Sequence, residues 1–217
     1  MRRNAPTILA LLLLVATATA FAVTQRLKLE PSPVSQTRID KVFSPACRCP
    51  SAVANIDFSL RRADRLTVAV RIGSGEVTVA QGSFPRGDVH VRWNGRDASG
   101  ELVPDGVYLP LVRLSRAGRT IDLPNPIRVD TVKPAITTTR LRSNGRKLKV
   151  TYTVSEPAHG VLVVNGHRAV VTYGTRRHGR LTWYGRIKGR VVRPKKHQLV
   201  LVAQDLAGNR SAPVQLP

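Results

Sequence analysis

The stretch "RWNGRDASGELVPDGVY", residues 92–108, decides the fold. The strand-like run "DVHVRW" leads into it, and its alternation places Val89, Val91 and Trp93 on one face. The Asn-Gly pair at 94–95 predicts a tight turn, because both residues tolerate positive φ. "DASG" and "PDG" then predict two further reversals. The stretch is therefore predicted to be a corner of a β-fold, with Trp93 buried in the core.

An acidic binding loop is the alternative interpretation of this stretch. Asp97, Glu101 and Asp105 do not follow the spacing of a calcium-binding EF-hand loop, and Arg96 interrupts them. A second copy of the pattern, "WYGRIKGRVVRP" from Trp183, keeps the Trp and the glycines but contains no acid. The repeated feature is thus a structural signature. Its members are Trp93, Gly95, Gly100, Pro104, Gly106, Tyr108, Trp183 and Gly185.

Alternating apolar runs lie on both sides of the proline-rich segment "LPNPIRVDTVKP". In the first half the apolar positions are Ile56, Phe58, Leu60, Leu66, Val68 and Val70; in the second they are Val150, Tyr152, Val154, Leu162 and Val164. Such runs predict antiparallel strands, and "RRAD" and "SEPAHG" are predicted to be turns between them. The sequence thus predicts an all-β fold: two tandem antiparallel β-sandwiches over residues 42–129 and 130–217.

The same residues resemble a known family. "WNGRDASG" followed by "VPDGVY" resembles the closing half of the FlgD/Vpr-type bacterial Ig-like domain, and "VFSP" at 42–45 and "IDFSLRRADRLTVAV" at 56–70 extend the resemblance upstream. The second half is similar to bacterial Ig-like modules that close on "D-x-A-G-N". This resemblance implies that Asp205, Gly208 and Asn209 form a turn and carry no chemistry.

The N-terminal segment, residues 1–25, contains an uncharged apolar run over 7–23 after two arginines. Two interpretations stay open: a signal anchor that spans the cytoplasmic membrane, and a cleaved secretory signal peptide. Each places the bulk of the chain outside the cytoplasm, and the first predicts a single-pass membrane protein whose N-terminal helix contacts the membrane. Residues 26–41 are predicted to be a linker to the first sandwich.

Cys47 and Cys49, in "SPACRCPS", are the only cysteines of the chain. In an oxidising compartment they could form a disulfide or remain free, and the flanking prolines permit the tight turn that a bridge needs. No ligands lie at zinc spacing, so neither a metal site nor a cofactor is predicted. The sequence also contains no nucleophile motif, and its second half has only three acidic residues. An enzyme is therefore not predicted, and no catalytic residue is assigned.

The net charge of +22 is unevenly distributed. Residues 130–217 carry seventeen Lys/Arg against three acids, whereas residues 42–129 carry twelve against eight. The predicted polyanion-binding set is Arg176, Arg177, Arg180, Arg186, Lys188, Arg190, Arg193, Lys195 and Lys196. Cations interleaved with aromatics suit anionic wall polymers or lipid headgroups, whereas export argues against nucleic acid. A merely solvated basic surface is the alternative.

These observations predict a non-enzymatic, extracytoplasmic envelope protein whose Ig-like domains are structural or protein-binding modules, with envelope proteins as partners. Two alternatives stay open. One is a polyanion-binding protein that acts through its basic second domain, and the other is an accessory module of an exported enzyme complex. The functional step relies on analogy between folds, since Ig-like folds host many roles.

Overall fold

The structure is a computed structural model that describes residues 11–21, 31–145, 147–195 and 197–217. In these parts the chain is all-β, apart from a helix over residues 11–21 and a single 3-10 turn at Pro50–Ala52. The predicted all-β class is confirmed.

In the described residues, nine strands lie in the first half of the chain and eight lie in the second. The first nine are β1 (Val34–Ile39), β2 (Val42–Phe43), β3 (Ala54–Leu60), β4 (Asp64–Ile72), β5 (Gly75–Phe84), β6 (Gly87–Trp93), β7 (Gly106–Leu114), β8 (Arg119–Asp122) and β9 (Ile127–Val129). The others are β10 (Ile136–Asn144), β11 (Lys147–Val164), β12 (His167–Val171), β13 (Arg176–Trp183), β14 (Arg186–Ile187), β15 (Arg190–Val191), β16 (Leu199–Gln204) and β17 (Val214–Gln215).

The first half is a β-sandwich with two sheets around one core. One sheet has the order β1-β3-β6, and the other has the order β2-β9-β7-β4-β5 with β8 paired to β7. Period-two alternation turns the apolar side chains of both sheets inward, where they form one buried cluster. Trp93 lies in this cluster, with ring centroids 5.3 Å from Phe43 and 5.1 Å from Tyr108.

The second half is organised by the 18-residue strand β11. Its first part pairs with β10 and β13, and its second part pairs with β12 and β16. The predicted turn "SEPAHG" is wrong, because these residues lie inside β11. The chain changes partners there without reversing: Ala158 pairs with Arg176, and His159 pairs with Gln204. One buried cluster again draws on both sets of strands.

The two halves share one order of strand pairing. The order β1-β3-β6 recurs as β10-β11-β13, and β5-β4-β7-β9 recurs as β12-β11-β16-β17. The corner after the buried Trp recurs as well. The indole Nε1 of Trp93 donates to the carbonyl oxygen of Arg96 at 3.2 Å, and that of Trp183 donates to the carbonyl oxygen of Arg186 at 2.8 Å.

The predicted linker at 26–41 needs a correction. Val34–Ile39 forms β1, which pairs antiparallel with β3 and buries both of its end residues in the first core. A register shift between Ser35 and Arg38 lets these two end residues, which are five positions apart, face the same core. The first sandwich therefore begins earlier in the chain than the predicted boundary at residue 42.

The predicted single-pass membrane localisation is wrong. Among the described residues, no helix has both the length and the apolar character needed to cross a membrane. Apart from residues 11–21, the predicted segment 1–25 lies outside the described residues.

Candidate functional site

The nine predicted polyanion-binding residues do not form one surface. In β13 the alternation places Arg176 and Arg180 on the outer face, because Leu181 and Trp183 are buried on the inner one. Arg177 takes the inner side, near enough to Glu156 to act on its pKa. The other predicted members lie on the β14–β15 hairpin or in the loop after it, namely Arg186, Lys188, Arg190, Arg193 and Lys195. Lys196 lies outside the described residues.

The outer side of the sheet β10-β11-β13 collects basic residues from three strands. One cross-strand row contains Arg140, Thr151 and Arg180, since Thr151 is the register partner of both arginines. The next row contains Arg142, Lys149 and Thr182, and a third contains Thr138, Thr153 and His178. Residues directly opposite each other share a face of the sheet. These nine residues are called the cationic face below.

Three basic members of the cationic face were missed by the sequence analysis. Arg140, Arg142 and Lys149 are exposed and precede the segment in which the basic residues are most dense. The available signal was their period of two, in β10 and at the start of β11, opposite an apolar face. The density of basic residues along the sequence was therefore the wrong measure for locating a basic surface, because a sheet brings alternate residues of separate strands together.

The charge of the cationic face is not compensated locally. Each of the four ion pairs in the described part of the chain lies elsewhere, for example Arg71–Asp122 and Arg113–Glu76. Residues 136–144, 147–155 and 176–183 contain no Asp or Glu. Four arginine and lysine side chains therefore point to solvent without a carboxylate partner, which gives this face a positive potential.

An open groove of about 990 Å³ lies over the cationic face. It is lined by residues of all three strands and by the segment after β12, where the fully exposed Tyr173 lies. Thr153 Oγ1 and His178 Nδ1 are 3.2 Å apart in its floor. The groove thus combines cations with hydroxyl groups, and both can donate hydrogen bonds to an anion.

Three carboxylates meet where the two halves join. Oxygen atoms of Asp130, Glu156 and Asp205 lie within 4.8 Å of one another. Burial and the two aspartates raise the pKa of Glu156, and its Oε1 is buried without a hydrogen-bond partner in the described structure. A divalent cation is the ligand that such oxygens could hold. Four of their six oxygens nevertheless already accept hydrogen bonds, those of Asp130 from Arg128 and Val132 and those of Asp205 from Asn209. Arg128 and Arg177 also act on the charge of the cluster.

Two of the three acids of residues 92–108, Asp97 and Asp105, accept backbone hydrogen bonds. Asp97 Oδ1 accepts bonds from the amides of Ser99 and Glu101 and from the Ser99 hydroxyl, and these bonds lower the pKa of Asp97. Asp105 accepts the amide and the hydroxyl of Thr131. Tyr108 closes the corner by donating its hydroxyl to the carbonyl oxygen of Pro104 at 2.9 Å. The carboxylates therefore hold a turn and its neighbouring segment.

The predicted turn residues near the C-terminus lie against the first half. Asp205 accepts the amide and the side-chain amide of Asn209. Cys47 and Cys49 are joined by a disulfide, and Gly208 lies so close to it that an added Cβ would be 2.5 Å from Cys49 Sγ. The disulfide loop of the first half and the "DLAGN" loop of the second half are therefore in contact.

The fold defines an Ig-like β-sandwich protein. The family model described as the FlgD Ig-like domain matches residues 51–117, which supports a bacterial Ig-like domain in the first half. No curated protein matches the chain.

Three solved structures are only weakly similar to the chain. The BSP domain of a biofilm-associated protein is 15% identical over 85% of this chain and 29% of its own, with a TM-score of 0.30. The central fibronectin-III array of RIM-binding protein is 14% identical over 87% of this chain and 64% of its own, with a TM-score of 0.30. The YadV chaperone is 10% identical over 83% of this chain and 99% of its own, with a TM-score of 0.29. The chain thus spans less than two thirds of the first two.

Proposed function

We propose that this chain is a non-catalytic envelope protein that works outside the cytoplasm as a structural or protein-binding module of two tandem Ig-like sandwiches. The observation that carries the proposal is the order of strand pairing, which is the same in both halves. Ig-like domains are typically non-catalytic modules. Repeated domains of this kind present surfaces at fixed positions, which suits a spacer or a docking platform.

The disulfide supports the extracytoplasmic part of the proposal. Cys47 and Cys49 are both in the bridge, and the chain has no other cysteine. Disulfides persist in oxidising compartments and are rare in the cytosol, where thiols are kept reduced. Rapid thiol alkylation of cells that express the full chain, followed by mass spectrometry, should find both cysteines unlabelled. Full labelling would contradict an extracytoplasmic location.

Co-sedimentation of the full chain with isolated cell envelopes tests the binding role. Binding that persists as salt rises is expected if a specific protein partner is held through apolar and hydrogen-bonded contacts. Screening by salt would remove an interaction that depends on surface charge. Absence of binding at every salt concentration would contradict a binding role and leave a structural spacer.

A second candidate function is binding of an anionic macromolecule through the basic second half. The cationic face favours it, because four exposed arginine and lysine side chains share one surface without carboxylate partners. Charge-driven binding of this kind falls steeply with salt. The same co-sedimentation series therefore distinguishes the two candidates by the slope of binding against salt concentration.

A further inference from the structure

We propose that the cationic face is a binding track for a linear phosphodiester polymer, one with a phosphate in each repeat and no bases. This inference rests on the second candidate function and names both the surface and the ligand. The cationic face takes the place of the nine residues that were predicted from the sequence. Of those nine, only Arg180 belongs to it.

The spacing of the cations fits a ligand with a regular charge. Arg140 and Arg142 are two residues apart on β10, so their attachment points are about 6.8 Å apart along the strand. On β13, Arg180 and Arg176, the latter beyond the three rows, are four residues apart, which is about twice that distance. Across the sheet, neighbouring strands are about 4.8 Å apart. Cations therefore recur along the strand direction at a spacing comparable to that of successive phosphates in an extended phosphodiester chain.

The chemistry of the face suits phosphate oxygens. A guanidinium presents parallel N–H groups that bind two oxygens of one phosphate, and three arginines of the face can do so. Thr151 lies between Arg140 and Arg180 and adds a hydroxyl donor within the same row. This row thus has a guanidinium on each side and a neutral hydroxyl donor in the middle. A non-bridging phosphate oxygen can accept a hydrogen bond from that hydroxyl.

The composition of the face argues against other anionic ligands. Single-stranded nucleic acid binds by stacking successive bases on exposed aromatic rings, but the groove offers one fully exposed ring, Tyr173, and the three rows contain no aromatic residue other than His178. The nearby ring of Tyr184 already lies under Lys147 Nζ, at 5.3 Å. A membrane surface is usually engaged with apolar side chains as well as charge, and the rows contain none. A polymer recognised through its phosphates alone remains the best match.

The test measures binding of the full chain to purified, lipid-free poly(glycerol phosphate) across a salt series. The triple variant Arg140→Glu/Lys149→Glu/Arg180→Glu reverses three charges of the cationic face. Arg168→Glu/Arg193→Glu/Lys195→Glu makes the same change of charge at exposed positions outside the three rows. We expect the face variant to bind at least tenfold more weakly. The slope of log K against log salt should become shallower by about three, because each substituted cation leaves one phosphate of the polymer unneutralised.

The other results overturn the inference in distinguishable ways. Equal weakening in the two variants would mean that net charge matters and the face does not, so the second candidate function would survive alone. Absence of binding by the unchanged protein would overturn the phosphodiester inference, and the second candidate function would then be decided by the salt dependence of binding to envelopes alone. Equal, face-dependent affinity for oligothymidine or for phosphatidylglycerol vesicles would assign the face to another ligand. Arg140→Gln/Lys149→Gln/Arg180→Gln must reproduce the weakening with a native circular dichroism spectrum, which excludes misfolding caused by the glutamates.

Discussion

Asn209 Nδ2 donates a 2.8 Å hydrogen bond to the carbonyl oxygen of Asp130, the residue that directly follows the last strand of the first half. The same amide also donates to Asp205 Oδ2 at 2.8 Å, and the Asn209 side chain is buried. One side chain therefore fixes its own turn and the start of the second half.

Replacing Asn209 by Ala should destabilise the second half by about 1–3 kcal/mol, because the buried carbonyl of Asp130 loses its partner. The midpoint of urea unfolding of the full chain measures the change. Asn144→Ala, at an exposed position at the end of β10, is the matched control and should unfold like the unchanged protein. Equal midpoints for Asn209→Ala and the control would show that the bond to Asp130 contributes nothing.

Trp93→Ala should destabilise the first half by about 3–5 kcal/mol. The side chain is buried between Phe43 and Tyr108, so its removal leaves a cavity that these rings cannot fill. Thermal unfolding followed by circular dichroism measures the effect. Tyr173→Ala removes a fully exposed aromatic and should leave the transition unchanged. If both variants melted alike, Trp93 would not be a core residue.

Alternation of apolar residues predicted most of the fold. The inward positions of β3, β4 and β6 follow directly from it, because a strand that buries one face needs period two. The turn predicted at "SEPAHG" failed for a physical reason. Its Pro and Gly residues are typical of turns, yet Gly160 has another use: a Cβ there would overlap the Tyr152 ring. Local composition cannot reveal a contact that tertiary packing creates.

Gly179, in β13, also lies against the ring of Tyr152, as Gly160 does. Gly179→Ala would drive a Cβ into the ring of Tyr152, a buried core residue, and should cost about 1–3 kcal/mol. Gly82→Ala in β5 is the matched control, since the nearest atom to its added Cβ would be 3.7 Å away. Urea unfolding of both variants is the measurement. A destabilised Gly82→Ala beside an unchanged Gly179→Ala would contradict the packing described.

Glu156 makes stability depend on pH in a defined direction. Burial and the nearby Asp130 and Asp205 raise its pKa in the folded chain above the ordinary value of 4.5. The folded state then holds the proton more tightly than the unfolded state does. The resulting stability is fully present below about pH 4.5 and is lost as the pH rises through the raised pKa. Glu156→Gln should therefore be more stable than the unchanged protein at neutral pH and equal to it in acid.

The measurement for Glu156→Gln is urea unfolding at about pH 4 and at neutral pH, in a chelating buffer that removes divalent cations. Glu76→Gln is the contrasting variant, because Arg113 holds the pKa of Glu76 below its ordinary range. Its effect should have the opposite sign and be small, since the pair is at the surface. A Glu156→Gln protein less stable at neutral pH would show that attraction to Arg128 and Arg177 dominates.

The candidate site was only half visible in the sequence. The excess of Lys and Arg after residue 130 drew attention to the second half, and Arg180 was among the residues selected. The partners of Arg180 were missed because they lie about thirty to forty residues earlier and meet it only through the register of β11. Pairing between strands so distant in the chain depends on tertiary packing, which residue density does not encode.

The 18-residue strand β11 has a kinetic consequence for the second half. In the first half the segment that corresponds to β11 is divided into two strands, β3 and β4, which belong to different sheets. These two strands can therefore detach one at a time. In the second half β11 belongs to both sets of paired strands. Neither set can therefore open without disturbing the other. We therefore expect the amides of β13 and β16 to exchange with solvent at similar rates, through one shared opening event.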